Sequence, residues 1–229
     1  MTICKNSICT FLDACLDVAV FKKKVDLSSL FVDAFDKNES NYQSFLKSLK
    51  EIQDILEEDL EFFMDSDPAA SSKEEIKLAY PGFKAIAIYR ISHTLYELGY
   101  KVQARFISET AHSMTGIDIH PAANISHPFF IDHGTGTVIG QTSSIGKRVK
   151  LYQCVTLGAI SLSNAKELRG VVRHPQVGNN VTIYAGASLL GAIKIGDNVT
   201  IGSNVFLTED VPSNIKVVIG KPELIYKSK

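Results

Sequence analysis

Histidines beside charged residues occur in two short segments of the sequence. One is Asp132-His133-Gly134 and the other is Arg173-His174-Pro175. Histidine titrates near neutral pH, so it can remove a proton from a hydroxyl group under physiological conditions. A carboxylate on the other ring nitrogen would fix the tautomer, and an arginine would bind a substrate carboxylate through its planar fork. These residue types suit general base catalysis on a small charged substrate.

Aliphatic residues recur every six residues after Gly116. The series is Ile119, Ile125, Ile131, Ile139, Ile145, Leu151, Leu157, Val177, Ile183, Leu189, Ile195, Ile201 and Leu207. An α-helix cannot keep them on one face, because six is not close to a multiple of 3.6. A coil with three flat faces can, since each aliphatic side chain then points inward and stacks on those of adjacent coils. A β-sandwich with accidental spacing would not keep this register over so many positions.

Glycine follows many of these aliphatic residues. The positions are Gly140, Gly146, Gly158, Gly178, Gly196 and Gly202. We expect these glycines to serve corners of the coil that need unusual backbone angles.

The chain before residue 116 has helical periodicity instead. Apolar residues between positions 42 and 64 are spaced three and four apart, as on one face of an amphipathic helix. Two further helices are predicted over residues 83–98 and 101–114. The sequence therefore predicts a helical N-terminal domain over residues 1–115 and a solenoid over residues 116–229.

Two interruptions of the six-residue pattern contain the charged segments. Eight residues separate Ile131 from Ile139, and the first segment lies between them. The second lies between Leu157 and Val177, after a polar excursion over about residues 160–172. That excursion is too long for a corner, so we predict a loop extruded from the coil. Because a solenoid keeps its register unless something requires otherwise, chemistry is expected at these interruptions.

A metal site is the alternative use of the histidines. His120, His127 and His133 recur at intervals near six residues, and three histidines can bind zinc. Such ligands must share one edge, whereas these positions fall on different faces of a coil. We therefore expect no metal. We interpret His93, His112 and His127 as surface residues and His120 as structural.

Composition and charge are those of an ordinary soluble protein. A formal net charge of −1 with 21% charged residues gives no reason to expect nucleic acid or an anionic membrane as a partner. No apolar run approaches the length that spans a bilayer, and the charged N-terminus does not read as a secretory signal. Cys4, Cys9, Cys15 and Cys154 match neither a disulfide framework nor a zinc knuckle. We expect reduced thiols in a cytoplasmic protein.

Four motifs of the solenoid resemble those of the serine O-acetyltransferases, a family of hexapeptide-repeat acyltransferases. They are Asp118-Ile119-His120-Pro121-Ala122-Ala123, Ile131-Asp132-His133-Gly134-Thr135-Gly136, Val155-Thr156-Leu157-Gly158 and Arg173-His174-Pro175. The likeness covers roughly residues 67 to 220. It implies an α+β fold in which an all-helical N-terminal domain precedes a left-handed parallel β-helix. It also implies transfer of acetyl from acetyl-CoA to the hydroxyl of L-serine, the first step of cysteine biosynthesis.

The resemblance assigns catalytic roles to three residues. It implies that His133 is the general base, that Asp118 orients it, and that His174 is a second catalytic histidine in contact with substrate. Asp118 and His133 are fifteen residues apart, which is close to one full coil, so they can be stacked neighbours.

The resemblance also implies two binding sites. Asp67 and Asp132 would bind the serine ammonium, and Arg173 would bind the carboxylate. Acetyl-CoA is expected in a groove between neighbouring subunits. The positions that match the family's CoA contacts are Gly158, Ala159, Ala185, Gly186, Ser203 and Lys221. Ala159 departs from the pair of glycines that many members have there.

Several partners follow from the resemblance. Members are inhibited by L-cysteine, which presents the same ammonium and carboxylate as serine. They assemble as homotrimers, or as dimers of trimers joined through the N-terminal helices. Many end in an isoleucine that docks into O-acetylserine sulfhydrylase, whereas this chain ends in Tyr226-Lys227-Ser228-Lys229, so the sequence gives no support for that complex.

Two other functions stay open from the sequence. One is a hexapeptide acetyltransferase for another acceptor, such as a sugar, homoserine or an antibiotic. The other is a solenoid that binds or assembles without catalysis. The set of Asp67, Asp132 and Arg173 suits a zwitterionic amino acid, and the presence of both His133 and Asp118 favours catalysis.

Overall fold

The computed structural model describes residues 4–160, 167 and 170–220. Within this part of the chain, six helices precede fourteen short strands. The helices are α1 Lys5–Ala19, α2 Ser28–Ala34, α3 Glu39–Ser66, α4 Lys73–Ala79, α5 Pro81–Glu97 and α6 Lys101–Thr115. The strands are β1 Asp118–Ile119, β2 Asn124–Ile125, β3 Phe129–Ile131, β4 Val138–Ile139, β5 Ser144–Ile145, β6 Val149–Leu151, β7 Thr156–Gly158, β8 Gln176–Val177, β9 Thr182–Ile183, β10 Ser188–Leu190, β11 Lys194–Ile195, β12 Thr200–Ile201, β13 Phe206–Leu207 and β14 Lys216–Val217. No helix among the described residues is long and apolar enough to cross a membrane.

The strands wind into a parallel solenoid with three sheets. Sheet A has the order β1-β4-β7-β10-β13, sheet B has β11-β8-β5-β2, and sheet C has β14-β12-β9-β6-β3. Equivalent aliphatic residues of successive coils face each other in register, as Ile119 does with Ile139 and Ile139 with Leu157. All three are buried. The predicted fold class, helices followed by a parallel β-helix of hexapeptide repeats, is confirmed.

The expected role of the glycines that follow the aliphatic residues was wrong. None of the six has a left-handed backbone. At four of them, Gly140, Gly146, Gly178 and Gly196, a neighbouring coil lies too close for a side chain. At Gly146, for example, an added Cβ would lie 2.6 Å from the carbonyl oxygen of Gly178. The corner between sheets B and C uses asparagine in the left-handed conformation, at Asn180, Asn198 and Asn214.

The longest helix, α3, delivers Asp67 to the solenoid. Asn38 caps its first turn by accepting a hydrogen bond from the backbone N–H of Asn41 at 3.1 Å. One face of the helix is apolar and buried, and it includes Phe45, Leu49, Ile52, Leu56, Leu60 and Phe63. The helix ends at Ser66, and Asp67 takes extended backbone angles as the C-cap residue.

A buried ion pair and a close backbone approach are among the contacts that join the helices to the first coil of the solenoid. Asp59 of α3 and Arg90 of α5 form a buried ion pair at 2.8 Å, and Asp59 also accepts the backbone N–H of Phe129 at 2.8 Å. Burial raises the pKa of Asp59, against the opposing charge of Arg90. Near the start of α5, Gly82 lies against Ile131, where an added Cβ would be 2.0 Å from the carbonyl oxygen. The helices are therefore fitted directly onto β3, the strand that leads into Asp132 and His133.

Candidate active site

Most of the sequence-predicted site residues lie at the two corners that border sheet A. We call the turn from sheet C into sheet A the C–A corner, and the turn from sheet A into sheet B the A–B corner. Asp132 and His133 lie at the C–A corner, since they follow β3 and precede β4. Arg173 and His174 lie at the A–B corner, since they precede β8.

His133 projects into solvent from the C–A corner. Its backbone is left-handed, with φ of 55°, and its side chain is 69% exposed. Few residues other than glycine adopt this conformation, and such positions recur at functional sites because the surrounding structure must hold them. The turn is held by a hydrogen bond from the Asp132 N–H to the Leu151 carbonyl at 2.9 Å. The Nε2 atom of His133 lies 3.7 Å from Oδ2 of Asp132.

Asp67 joins this corner from the helical half of the chain. Its Oδ1 accepts the backbone N–H of Ala69 at 2.8 Å, and its Oδ2 accepts the hydroxyl of Tyr80 at 2.7 Å. That hydrogen bond raises the pKa of Tyr80 to about 12, with a smaller contribution from the charge of Asp132. Burial, a neighbouring tyrosine and the charges of Asp132 and Asp67 likewise raise the pKa of Tyr152. Tyr80 is two residues from Gly82, which packs on Ile131, the residue before Asp132, so this segment brings Asp67 to the corner that holds Asp132.

Asp118 lies on the outer face of sheet A. Its Oδ1 is 3.8 Å from a guanidinium nitrogen of Arg105 on α6. Among the described residues it makes no hydrogen bond to His133, whose nearest ionic partner is Asp132. The orienting role of Asp118 therefore stays a prediction.

His174 is held at the A–B corner in a defined tautomer. Its Nδ1 accepts the backbone N–H of Thr142 at 3.1 Å, so the proton of the neutral ring sits on Nε2. Burial, and then the charge of Arg173, lower the pKa of His174 to about 4. The ring lies directly over Gly140, where an added Cβ would be 2.2 Å from Nε2. At neutral pH His174 is thus an uncharged hydrogen-bond donor, not a base.

Arg173 is positioned by the coil that precedes it. Its backbone N–H donates to the hydroxyl of Thr142 at 2.9 Å, and its guanidinium donates to Oε1 of Gln141 at 2.6 Å. The side chain is half-buried. This geometry leaves a planar, oriented cation beside the neutral His174, which suits recognition of a carboxylate.

His120 borders the same corner and has a structural contact. Its Nδ1 accepts the backbone N–H of Ala122 at 3.0 Å, and burial together with the charge of Arg105 lowers its pKa to about 4. Among the described residues, no group of three or more histidine, cysteine, aspartate or glutamate side chains is arranged to hold a metal ion.

The positions predicted to contact CoA divide between the same two corners. Gly158 ends β7 and Ala159 follows it into the A–B corner, whereas Ala185, Gly186 and Ser203 lie at the C–A corner. Gly186 has a φ of 74°, and an added Cβ there would be 2.3 Å from Oδ1 of Asn204, so only glycine fits. Lys221 and most of the predicted 160–172 loop lie outside the described residues.

The two groups of site residues are at opposite edges of one sheet. Successive corners of the coil are about six residues apart, which is on the order of 15–20 Å at roughly 3.3 Å per extended residue. The C–A group holds Asp67, Asp132 and His133, and the A–B group holds Arg173 and His174. One amino acid cannot touch both groups within a single chain.

Comparison with known proteins identifies the family. The family model described as "Bacterial transferase hexapeptide (six repeats)" matches residues 174–209. The serine acetyltransferase of Helicobacter pylori is 43% identical over 170 residues, which cover 74% of this chain and 96% of that protein. The chain belongs to the serine acetyltransferase family. A plasmid-encoded family member from Synechococcus elongatus is 50% identical over 75% of this chain, which spans only 54% of that longer protein.

Solved structures of the family share the whole architecture. Serine acetyltransferase isoform 3 of Entamoeba histolytica, in complex with cysteine, has a TM-score of 0.81 at 32% identity and covers 100% of this chain and 86% of its own. The enzyme of Brucella abortus in complex with coenzyme A has a TM-score of 0.71 at 27% identity and covers 93% of each chain.

Three residues of the site were missed by the sequence reasoning. Tyr80 precedes the helix pair, and Gln141 and Thr142 follow Gly140 in an otherwise regular repeat. Nothing in their local pattern marks them, because their role comes from contacts with residues distant in the chain. The signal that could have found Gln141 and Thr142 is their place one coil from Arg173 and His174, on the same corner.

Proposed function

We propose that this protein transfers the acetyl group of acetyl-CoA to the hydroxyl of L-serine, giving O-acetyl-L-serine and CoA. One observation carries the proposal: the hydrogen bond from Tyr80 holds Asp67 at the corner that carries Asp132 and the exposed imidazole of His133. In serine, the ammonium nitrogen is two bonds from the carbon that bears the hydroxyl. When the two carboxylates neutralise that ammonium, the hydroxyl of the acceptor lies near His133. A neutral sugar hydroxyl would leave both carboxylates without a cationic partner.

The chemistry is a direct transfer through a tetrahedral intermediate. Nε2 or Nδ1 of His133 takes the hydroxyl proton as the serine oxygen attacks the thioester carbonyl, and a new C–O bond forms. The C–S bond then breaks, and the imidazolium returns its proton to the leaving thiolate. Asp118 is proposed to stabilise that imidazolium. His174 is proposed to donate from Nε2 to the substrate, while Arg173 binds its carboxylate.

A complete site is proposed to need two copies of the chain. The ammonium-binding group and the carboxylate-binding group lie at opposite edges of sheet A, so the A–B corner of one subunit must meet the C–A corner of its neighbour. Closing this head-to-tail contact gives a cyclic homotrimer. CoA would lie in the same groove. One subunit would then contribute Gly158 and Ala159 from its A–B corner, and its neighbour would contribute Ala185, Gly186 and Ser203 from its C–A corner. Residues 1–115 are proposed to be the surface through which two such trimers pair where the protein is a dimer of trimers.

Inhibition by L-cysteine is proposed to occur at the serine site. Cysteine differs from serine by one atom, so it presents the same groups to Asp67, Asp132 and Arg173. The Entamoeba histolytica relative has been solved with cysteine bound. Inhibition should therefore be competitive with serine.

The cysteines at positions 4, 9, 15 and 154 are unpaired, which supports a cytoplasmic location.

The deciding experiment compares acceptors side by side. Release of CoA thiol from acetyl-CoA is measured with L-serine, L-homoserine and a set of sugars, and the product is identified by mass spectrometry. We expect serine-dependent release that is lost in His133→Ala. Faster turnover of homoserine or a sugar would favour the other acetyltransferase function, and no release with any acceptor would favour a non-catalytic solenoid.

A further inference from the structure

Tyr80 is a half-buried hydroxyl donor that has no role in the proposed reaction. It is the N-cap residue of α5, and its ring lies edge-on against Phe63 with centroids 6.2 Å apart. Its hydroxyl does not cap the helix; it donates to Oδ2 of Asp67 at 2.7 Å. A tyrosine hydroxyl on a carboxylate forms a charge-assisted hydrogen bond, which is stronger than one between neutral groups.

Both oxygens of Asp67 are thereby fixed. Oδ1 accepts the N–H of Ala69 and Oδ2 accepts the hydroxyl of Tyr80, so the carboxylate plane cannot turn without losing a hydrogen bond. Asp67 itself is the C-cap residue of α3, and its backbone N–H donates to the Phe63 carbonyl at 3.0 Å. The helix therefore holds the backbone of Asp67, whereas Tyr80 and the Ala69 N–H hold its carboxylate.

The same segment also locates the second carboxylate. Two residues after Tyr80, Gly82 lies against the carbonyl of Ile131 with no room for a side chain. Ile131 immediately precedes Asp132. The three residues from Tyr80 to Gly82 thus touch Asp67 on one side and the strand that ends at Asp132 on the other.

We propose that Tyr80 is a positioning residue that holds Asp67 at the correct distance from Asp132 to bind the ammonium of the acceptor. This inference rests on the proposed function. Tyr80 acts through Asp67 and does not touch the hydroxyl or the thioester. Its loss should therefore weaken acceptor binding equally in the ground state and the transition state, which raises the KM for serine and leaves kcat nearly unchanged.

Tyr80→Phe tests the proposal because it removes only the hydroxyl and keeps the ring against Phe63. We expect the KM for L-serine to rise about tenfold, the size of effect typical of one charge-assisted hydrogen bond. The kcat and the KM for acetyl-CoA should stay within about twofold of wild type. Tyr100→Phe is the matched control, since the hydroxyl of Tyr100 donates to Asp36 at 2.8 Å within the helical domain, away from the site. That variant should keep the wild-type KM for serine.

Two further measurements separate positioning from a general structural effect. In an Asp67→Ala background, Tyr80→Phe should change the KM for serine by less than about twofold, because the hydroxyl no longer has a carboxylate to hold. The competitive inhibition constant of 3-hydroxypropanoate, which is serine without its amino group, should be the same in wild type and Tyr80→Phe.

The outcomes distinguish the inference from the function. Suppose that the wild type acetylates serine. The inference is then wrong, and the function stands, if Tyr80→Phe has the same KM for serine as Tyr100→Phe. The same holds if Tyr80→Phe weakens the binding of 3-hydroxypropanoate as much as the binding of serine. If wild type releases no thiol with serine, the proposed function is wrong and the inference falls with it.

Discussion

Lowering the pH from 7 to 5 should destabilise the fold through His174. The side chain is 7% exposed, and burial lowers its pKa from the ordinary value of 6.5 to about 4. As the pH falls through 6.5 the unfolded chain takes up a proton on this imidazole, whereas the folded chain does so only near 4. The stabilisation is therefore complete above pH 6.5 and is lost as the pH falls towards 4. Linkage puts the loss in the free energy of unfolding between pH 7 and pH 5 at about 2 kcal/mol.

Urea unfolding of wild type and His174→Asn at the two pH values measures this loss. The amide oxygen of asparagine can accept the Thr142 N–H in place of Nδ1, but it cannot take up a proton. Wild type should lose about 2 kcal/mol more than the variant on going to pH 5. His120 is present in both proteins, so most of its own titration cancels in the difference; only the smaller effect of the His174 charge on the pKa of His120 is lost in the variant. The protein concentration is kept the same throughout. Equal losses in the two proteins would refute the assignment of His174 as a buried neutral donor.

Three other predictions address the base, the helix–solenoid contact and the shared site. His133→Ala should lower kcat by about 10²–10⁴-fold while CoA binding, measured by calorimetry, is kept; near-normal turnover would exclude it as the base. Gly82→Ala should lower kcat by on the order of 100-fold, because its Cβ must push the carbonyl of Ile131 and shift the adjoining catalytic turn. Gly146→Ala is the control, since it makes a comparable clash at the remote corner between sheets B and C. It should lower the Tm to a similar extent but keep the wild-type kcat. Equal losses of kcat in the two variants would count against a role of the Gly82 contact in positioning the site. Co-expressed His133→Ala and Arg173→Ala chains should recover about a quarter of wild-type activity. In a random mixture, about a quarter of the interfaces join an intact His133 corner to an intact Arg173 corner. No recovery would place the site within one chain.

Much of this architecture is readable from the sequence because it is periodic. Inward-facing aliphatic residues at intervals of six specify a coil whose core is built by stacking, and each position needs only its equivalents in adjacent coils. The helices before residue 116 follow from local spacing in the same way, and α3, α5 and α6 lie close to the predicted ranges. The interruptions at Asp132-His133 and Arg173-His174 are visible for the same reason, since they are departures from a regular pattern.

Tertiary structure alone decided how the charged residues are grouped. Asp67 comes to the corner that holds Asp132 because α3 and α5 dock onto β3 through Gly82 and a buried ion pair, and no local pattern encodes that docking. The state of His174 depends on Thr142, thirty-two residues earlier, whose N–H selects its tautomer while burial keeps the ring neutral. Four of the glycines that follow the aliphatic residues, Gly140, Gly146, Gly178 and Gly196, are set by the distance between coils and not by backbone angle. The separation of the two half-sites is likewise a property of the folded coil. Asp132-His133 and Arg173-His174 are about forty residues apart in sequence, and they lie at opposite edges of sheet A only because the chain winds around the solenoid axis.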